Sequence, residues 1–81
     1  MMKYLTTFID GYTLEVDHYF LNVSDAEAAE KYVRKQLGDE ANITYHDNGD
    51  IISWIPCDEH HMLKDTELWL QLIENVEEVT V

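Results

Sequence analysis

The sequence predicts an α+β domain with two layers, in which an antiparallel sheet carries two helices on one face in the order ββαββα. Two turn signals, Asp10-Gly11 and Asn48-Gly49, lie between segments rich in β-branched and aromatic residues. Two segments with apolar residues at helical spacing follow them. Because 81 residues with 46% hydrophobic content suffice for one core, we expect a single domain over residues 1–81.

The first hairpin is expected to turn at Asp10-Gly11, since Asp-Gly favours the left-handed backbone of a two-residue turn. This turn places one apolar set on the core face: Leu5, Ile9, Leu14 and Val16. Tyr4 and Phe8 then lie on the opposite face, where they would suit contact with a partner or a second copy. Inversion of the first strand, or a C-terminal segment that covers them, is the alternative, and both interpretations stay open.

The second strand changes the parity of its apolar positions after Asp17-His18. A bulge at that dipeptide would put the apolar residues of both halves on one face, because one extra residue turns every later side chain to the opposite face. A strand that bends out of the sheet and buries Phe20 explains the pattern equally well.

The first helix has the clearest local signals. Ser24 and Glu27 form a capping box, and Gly38 is a natural stop. Between them, apolar residues recur at helical spacing: Ala26, Ala29, Tyr32, Val33 and Leu37. We therefore predict a helix that begins after Ser24 and ends before Gly38.

The second half repeats this order. A two-residue turn at Asn48-Gly49 pairs Tyr45 with Ile52 and Ile43 with Trp54, which places all four on one face that we expect to be the core side. Asp58 is a plausible N-cap for a second helix that runs to about Asn75, with an apolar stripe of Met62, Thr66, Trp69, Ile73 and Val76. Asp65-Thr66 is a second possible cap, and Val79 with Val81 would suit an edge strand.

The charge is strongly negative and unevenly placed. Seventeen acids against five bases give a formal net charge of -12, and residues 36–81 hold eleven of those acids but one base, Lys64. Such a charge repels nucleic-acid phosphates and anionic membranes. With one cysteine, no signal peptide and no apolar segment long enough to span a bilayer, we expect a cytoplasmic protein (host cytoplasm if phage-encoded).

One cluster resembles a metal site. A helix that starts at Asp58 would bring Cys57 and His61 together, and His46 or Asp50 from the neighbouring hairpin could complete a zinc shell. His60 is about 100° from His61 on such a helix, so the two cannot easily share an ion. A structural zinc site normally has two paired-ligand modules, and this sequence shows one. A solvated helical turn is therefore the favoured interpretation, and we expect no metal and no cofactor.

In size, charge and lack of catalytic motifs, the chain resembles the small acidic inhibitors of phages and mobile elements, including DNA-mimic and anti-CRISPR proteins. The resemblance implies a non-enzymatic inhibitor or modulator that docks an acidic face on a basic, nucleic-acid-binding surface of a partner. The acidic face would comprise Asp47, Asp50, Asp58, Glu59, Asp65, Glu67, Glu74, Glu77 and Glu78. The alternatives are a metal-stabilised regulatory protein that uses Cys57, His60, His61 and His46, and a homodimeric accessory protein joined through Tyr4 and Phe8 or an edge strand.

Overall fold

The computed structural model describes residues 1–58 and 60–75. In this part of the chain, five strands form one antiparallel sheet and a single helix packs on it. The elements are β1 (Met2–Ile9), β2 (Val16–Val23), α1 (Ala26–Leu37), β3 (Asn42–Tyr45), β4 (Ile51–Ile55) and β5 (Thr66–Asn75). Their spatial order in the sheet is β2-β1-β5-β4-β3, so β5 lies at the centre between the two hairpins.

The predicted two-helix ββαββα arrangement is wrong, because the segment assigned to the second helix forms β5. Thr66, Leu68 and Leu70 are buried at alternate positions, which is the period of a strand. β5 receives β1 on one side and β4 on the other, so its backbone hydrogen bonds are made across the sheet. The predicted edge strand through Val79 and Val81 lies outside the described residues.

Both hairpins turn through longer loops than the two-residue turns predicted. In the first, Ile9 pairs with Val16, which leaves residues 10–15 in the loop. In the second, Tyr45 pairs with Ile51 in place of the predicted Ile52. Because neighbouring residues point to opposite faces, this shift of one residue moves Ile52 and Trp54 off the face that holds Ile43 and Tyr45.

Helix α1 confirms the prediction between Ser24 and Gly38, with the cap shifted by one residue. The Asp25 carboxylate accepts a hydrogen bond from the Ala28 amide at 2.8 Å, so Asp25 and not Ser24 is the N-cap. At the other end Gly38 adopts φ of 102° and its amide donates to the Arg34 carbonyl. Ala29 and Val33 are buried, and they direct the helix onto the sheet.

The hydrophobic core lies between α1 and one face of the sheet, here called the helix face. Its buried members are Tyr4, Ala29, Val33, Ile51, Leu68 and Leu70. Tyr4 is fully buried and Phe8 packs against the core, so of the two interpretations the exposed contact surface is wrong and the inverted first strand is confirmed. The helix covers their side of β1, which puts Leu5 and Ile9 on the opposite face.

Strand β2 pairs with β1 without a break, so the bulge predicted at Asp17-His18 is absent. The sheet's register shift between β1 and β5 falls instead at Lys3/Tyr4 of β1. With an unbroken register, Phe20 lies opposite Leu5 and is exposed, which also excludes the bent strand that would bury it.

Gly11 joins the first loop to the segment before β5. Its amide donates to Thr66 Oγ1 at 2.9 Å, and its carbonyl accepts from the Leu63 amide at 2.6 Å. A Cβ at this position would lie 2.1 Å from the Lys64 carbonyl oxygen. Glycine is therefore needed here for the close approach of two backbones, not for a two-residue turn.

Candidate binding surface

The face of the sheet opposite the helix is here called the open face. Strand alternation and register place its side chains in rows that cross the sheet. One row runs through His18, Thr7, Trp69, Ile52 and Thr44, and the next through Val16, Ile9, Glu67, Trp54 and Asn42. Beyond the first row lie Phe20, Leu5 and Gln71, and then Asn22, Lys3 and Glu74.

None of these open-face side chains is fully buried. Phe20 is 60% exposed, Val16 is 50% exposed and Trp69 is 40% exposed. Trp54 and Ile52 are half-buried beside them. Large apolar side chains that share one exposed sheet face are typical of a surface that another molecule covers.

Charge is largely excluded from the open face, although the molecule carries -12. Its charged side chains are one base, Lys3, and two acids, Glu67 and Glu74. The Lys3 ammonium lies 4.6 Å from the centroid of the Phe20 ring, and Glu67 forms an ion pair with Lys64 at 3.4 Å. Depletion of charge around exposed aromatic residues is the composition found at the centre of protein interfaces.

Half of the fourteen described acids lie at one end of the sheet, here called the loop end. It consists of residues 10–15, 38–41, 56–58 and 60–65, together with the first residues of β5. Seven described acids lie there with one base, Lys64; the acids are Asp10, Glu15, Asp39, Glu40, Asp58, Asp65 and Glu67. The carboxyl end of α1 points the negative end of its dipole to the same region, but its last turn also carries two bases, Arg34 and Lys35, and the Arg34 guanidinium donates to the Asp39 carbonyl at 2.8 Å.

The structure divides the predicted acidic face between two ends of the sheet. Asp58, Asp65 and Glu67 are at the loop end. Asp47, Asp50 and Glu74 lie at the other end, around the turn between β3 and β4 and the end of β5. Glu59, Glu77 and Glu78 are outside the described residues.

Three of these acids hold loops in place through backbone amides. Asp50 Oδ1 accepts from Leu72 N at 2.9 Å, and Asp65 Oδ1 accepts from Cys57 N at 2.7 Å. Asp58 Oδ1 accepts from the amides of His60, His61 and Met62, at 3.1, 3.1 and 3.2 Å. These bonds, the one from His61 first, lower the pKa of Asp58. Asp58 therefore caps a turn and not the predicted helix.

The residues proposed as metal ligands do not converge. His46 lies beyond the start of β4 and Cys57 beyond its end, so the length of β4, about 13 Å, separates their segments. The Cys57 thiol donates to the Met62 carbonyl at 3.2 Å. Among residues 1–58 and 60–75, no group of three His, Cys, Asp or Glu side chains is placed to hold a metal ion.

Two tyrosines fix the helix to the edges of the sheet. The Tyr19 and Tyr32 hydroxyls share a short hydrogen bond, and burial together with this bond raises the pKa of Tyr19. Tyr45 donates to Glu30 at 2.5 Å. Desolvation and then this bond raise the pKa of Tyr45 to about 12, while the same bond lowers the pKa of Glu30. Both contacts stabilise the helix face and leave the open face free.

A cleft of about 640 Å³ lies at the loop end. Its lining includes apolar residues Tyr12, Leu37, Ile55, Pro56 and Met62, and the acids Asp39, Glu40 and Asp58. A cleft lined by apolar side chains and carboxylates suits a cationic side chain better than an anionic ligand.

The open face is not among the predicted surfaces, although its residues carry a signal in the sequence. The sequence predicts Trp69 and Ile73 in a helical stripe and Trp54 on the core side. The apolar side chains of β1 alternate on both faces, Tyr4 and Phe8 against Leu5 and Ile9, and this is more than one helix can cover. That excess was the available indication of a second apolar surface.

No protein-family model, curated protein or solved structure matches this chain. Among the described residues, no helix has the length and apolar character needed to cross a membrane. The assignment of a function therefore depends on the geometry of the open face and the loop end.

Proposed function

We propose that this chain is a non-enzymatic binding protein that docks its open face, together with the acidic loop end, on a partner protein. The partner surface would have an apolar centre beside a group of lysine and arginine side chains. The observation that carries this proposal is the exposure of Phe20 and Trp69 on a face with three charged residues, in a molecule of net charge -12.

The apolar part of the surface supplies area. Counted from strand spacing and rise, the open face measures about 20 by 25 Å, or about 500 Å². Its roughness and the adjoining loops bring the surface near the 800 Å² or so that each partner contributes to a standard interface. Phe20, Trp54 and Trp69 are of the residue type that carries most binding energy in interface centres.

The negative charge of the loop end determines which kind of partner surface can bind. A basic surface is attracted to it at long range, whereas an acidic one is repelled. Proteins that bind nucleic acid carry such basic surfaces, so covering one of them would inhibit or modulate its partner. The partner that we propose is therefore a basic protein, as the charge of the sequence predicts. We also propose that the two proteins meet in the cytoplasm.

The experiment combines capture with reconstitution. Wild-type protein and two variants are immobilised and exposed to a host lysate at low salt, and each captured protein is then purified and titrated by calorimetry. Phe20→Ser combined with Trp69→Ser changes the open face, and Tyr45→Ser is the control, since Tyr45 is an aromatic residue that is 54% exposed on the helix face, outside the open face and the loop end.

A purified basic protein should bind wild type, bind the open-face variant at least tenfold more weakly, and bind the Tyr45→Ser control with unchanged affinity. Its affinity should fall steeply as salt rises. Equal affinity for all three proteins, or affinity that salt does not change, would contradict the proposal.

A further inference from the structure

Strand β2 is an edge of the sheet that carries few of the features that normally protect edges. It has eight residues, whereas the opposite edge, β3, has four. It contains no proline, glycine, lysine or arginine, and it pairs with β1 in an unbroken register. In natural sheets a long edge strand is usually protected from pairing with another chain by lysine, proline, a bulge or a covering segment.

The outward backbone groups of β2 can be identified from one hydrogen bond. Asp10 and Glu15 are opposite each other beside the ladder of β1 and β2, and the Asp10 amide donates to the Glu15 carbonyl at 2.9 Å. They are therefore a hydrogen-bonded pair, the kind in which the backbone groups of both residues point towards the neighbouring strand. Such pairs alternate along an antiparallel ladder. The backbone groups of Asp17, Tyr19 and Leu21 therefore face β1, and those of His18, Phe20 and Asn22 face away from the sheet.

We propose that β2 pairs with β2 of a second copy, antiparallel about a twofold axis at Phe20. A twofold axis perpendicular to the sheet keeps each side chain on its own face. Phe20 then lies opposite Phe20 of the second copy, and His18 opposite Asn22. The outward groups of these three residues form about six backbone hydrogen bonds across the axis.

The register suits a second copy because it opposes no like charges. Asp17, the one acid of β2, lies opposite Val23 of the other copy. On the open face the two exposed Phe20 rings meet at the axis, and this pairing removes apolar area from water. The dimer is a ten-stranded sheet whose two open faces are continuous, so pairing leaves Trp54 and Trp69 accessible.

Disulfide trapping tests the register. Phe20→Cys and Val16→Cys are each made with Cys57→Ser, which removes the native thiol. Residue 20 is opposite its own copy at a Cα separation of about 5.5 Å, which a disulfide spans. Residue 16, exposed on the same strand and face, is about 26 Å from its copy. Mild oxidation should cross-link the first variant and leave the second monomeric.

Sedimentation tests the edge without changing the aromatic surface. Asn22→Pro removes an outward amide and leaves the ladder to β1 in place. Wild type should sediment as a dimer at tens of micromolar protein, and Asn22→Pro as a folded monomer, with circular dichroism to confirm the fold. A monomeric wild type, equal cross-linking of the two cysteine variants, or a dimer that survives Asn22→Pro would each overturn the proposal.

Salt separates this inference from the proposed function. Two copies of net charge -12 repel at long range, so screening should strengthen the dimer, whereas it should weaken binding to a basic partner. The Asn22→Pro monomer loses one side chain in the outermost row of the open face but keeps Phe20, Trp54, Trp69 and the whole loop end, so it should still bind such a partner. Each proposal can therefore fail while the other stands.

Discussion

Thr6 is a buried polar residue whose hydroxyl has no hydrogen-bond partner among the described residues. It lies on the helix face, opposite Leu70 of β5 and Tyr19 of β2. Thr6→Val removes the unsatisfied hydroxyl with little change of shape, and should raise the free energy of unfolding by about 1 kcal/mol. Urea denaturation measures the change.

Ser53 provides the matched control, since its buried hydroxyl donates to the Leu68 carbonyl at 2.7 Å. Ser53→Ala should therefore lower the free energy of unfolding by about 1 kcal/mol. Destabilisation by Thr6→Val would show that the Thr6 hydroxyl is satisfied in solution.

Gly11 and Gly38 differ in why they must be glycine. A Cβ at Gly11 would overlap the Lys64 carbonyl, whereas Gly38 has open space but φ of 102°. Gly38→Ala should cost about 1 kcal/mol of backbone strain. Gly11→Ala must separate two loops and should cost at least twice as much, measured by the same denaturation. Equal costs would mean that the first loop is not held against the segment before β5.

At the scale of elements, local signals were sufficient for α1 and insufficient for β5. The ends of the helix are marked in the sequence by its capping residues, Asp25 and Gly38. Each of them lies within a few residues of the apolar positions that pack on the sheet. The segment of β5 carries both periods, with Thr66, Trp69 and Ile73 at helical spacing and alternate leucines at strand spacing. Pairing with β1 and β4, which are distant in sequence, decides between them.

The candidate surface was missed for the same nonlocal reason. Both parities of β1 are apolar, and the position of α1 decides which of them is covered. In the second hairpin, a shift of one residue in the turn was enough to place Ile52 and Trp54 on the wrong face. The identity of the apolar residues could be predicted from the sequence, but not the face to which they point.

The central position of β5 predicts an unequal effect of two neighbouring substitutions. Leu70 is fully buried on the helix face, so Leu70→Ala should cost about 3 kcal/mol of unfolding free energy. Trp69 is the larger residue but is 40% exposed, so Trp69→Ala should cost about 1 kcal/mol. Chemical denaturation of the two variants compares them, and a larger loss from Trp69→Ala would contradict the strand's orientation.

The segment between β4 and β5 should be sensitive to acid. The amides of His60, His61 and Met62 bond to the Asp58 carboxylate and lower its pKa below the ordinary 3.8. A depressed pKa means that this stabilisation is present above the ordinary value and is lost as pH falls through the folded one. The three amide signals in NMR spectra should therefore shift as the pH is lowered below the ordinary value of 3.8, and the amides should lose protection relative to their intrinsic exchange rates.

Asp58→Asn is the control, because its amide oxygen can still accept the hydrogen bonds while the side chain no longer titrates. These amides should then become insensitive to pH over the same range. Unchanged wild-type signals down to pH 2 would show that the carboxylate does not order this turn.

For the whole molecule, the separation of charge from apolar area is the property that joins the two proposals. Acids placed on the open face would have opposed docking, and acids placed along β2 would have opposed self-pairing. The fold places seven of the fourteen described acids at the loop end, where they repel one another. We therefore expect the isolated protein to be least stable at low salt.

Charge reversal locates that repulsion. Glu40 is exposed at the loop end near Asp39, and Asp47 is exposed in the turn at the opposite end of the sheet. Both Glu40→Lys and Asp47→Lys reduce the net charge by the same amount, but the first also relieves the local cluster. At low salt Glu40→Lys should raise Tm by about 2–4 °C and Asp47→Lys by less.

Thermal denaturation by circular dichroism at low and high salt measures both differences. Because the Debye length falls to about 3 Å at 1 M salt, both gains should nearly vanish there. Equal gains at low salt would mean that the total charge governs stability, and the loop end would then lack the concentrated field on which the choice of a basic partner depends.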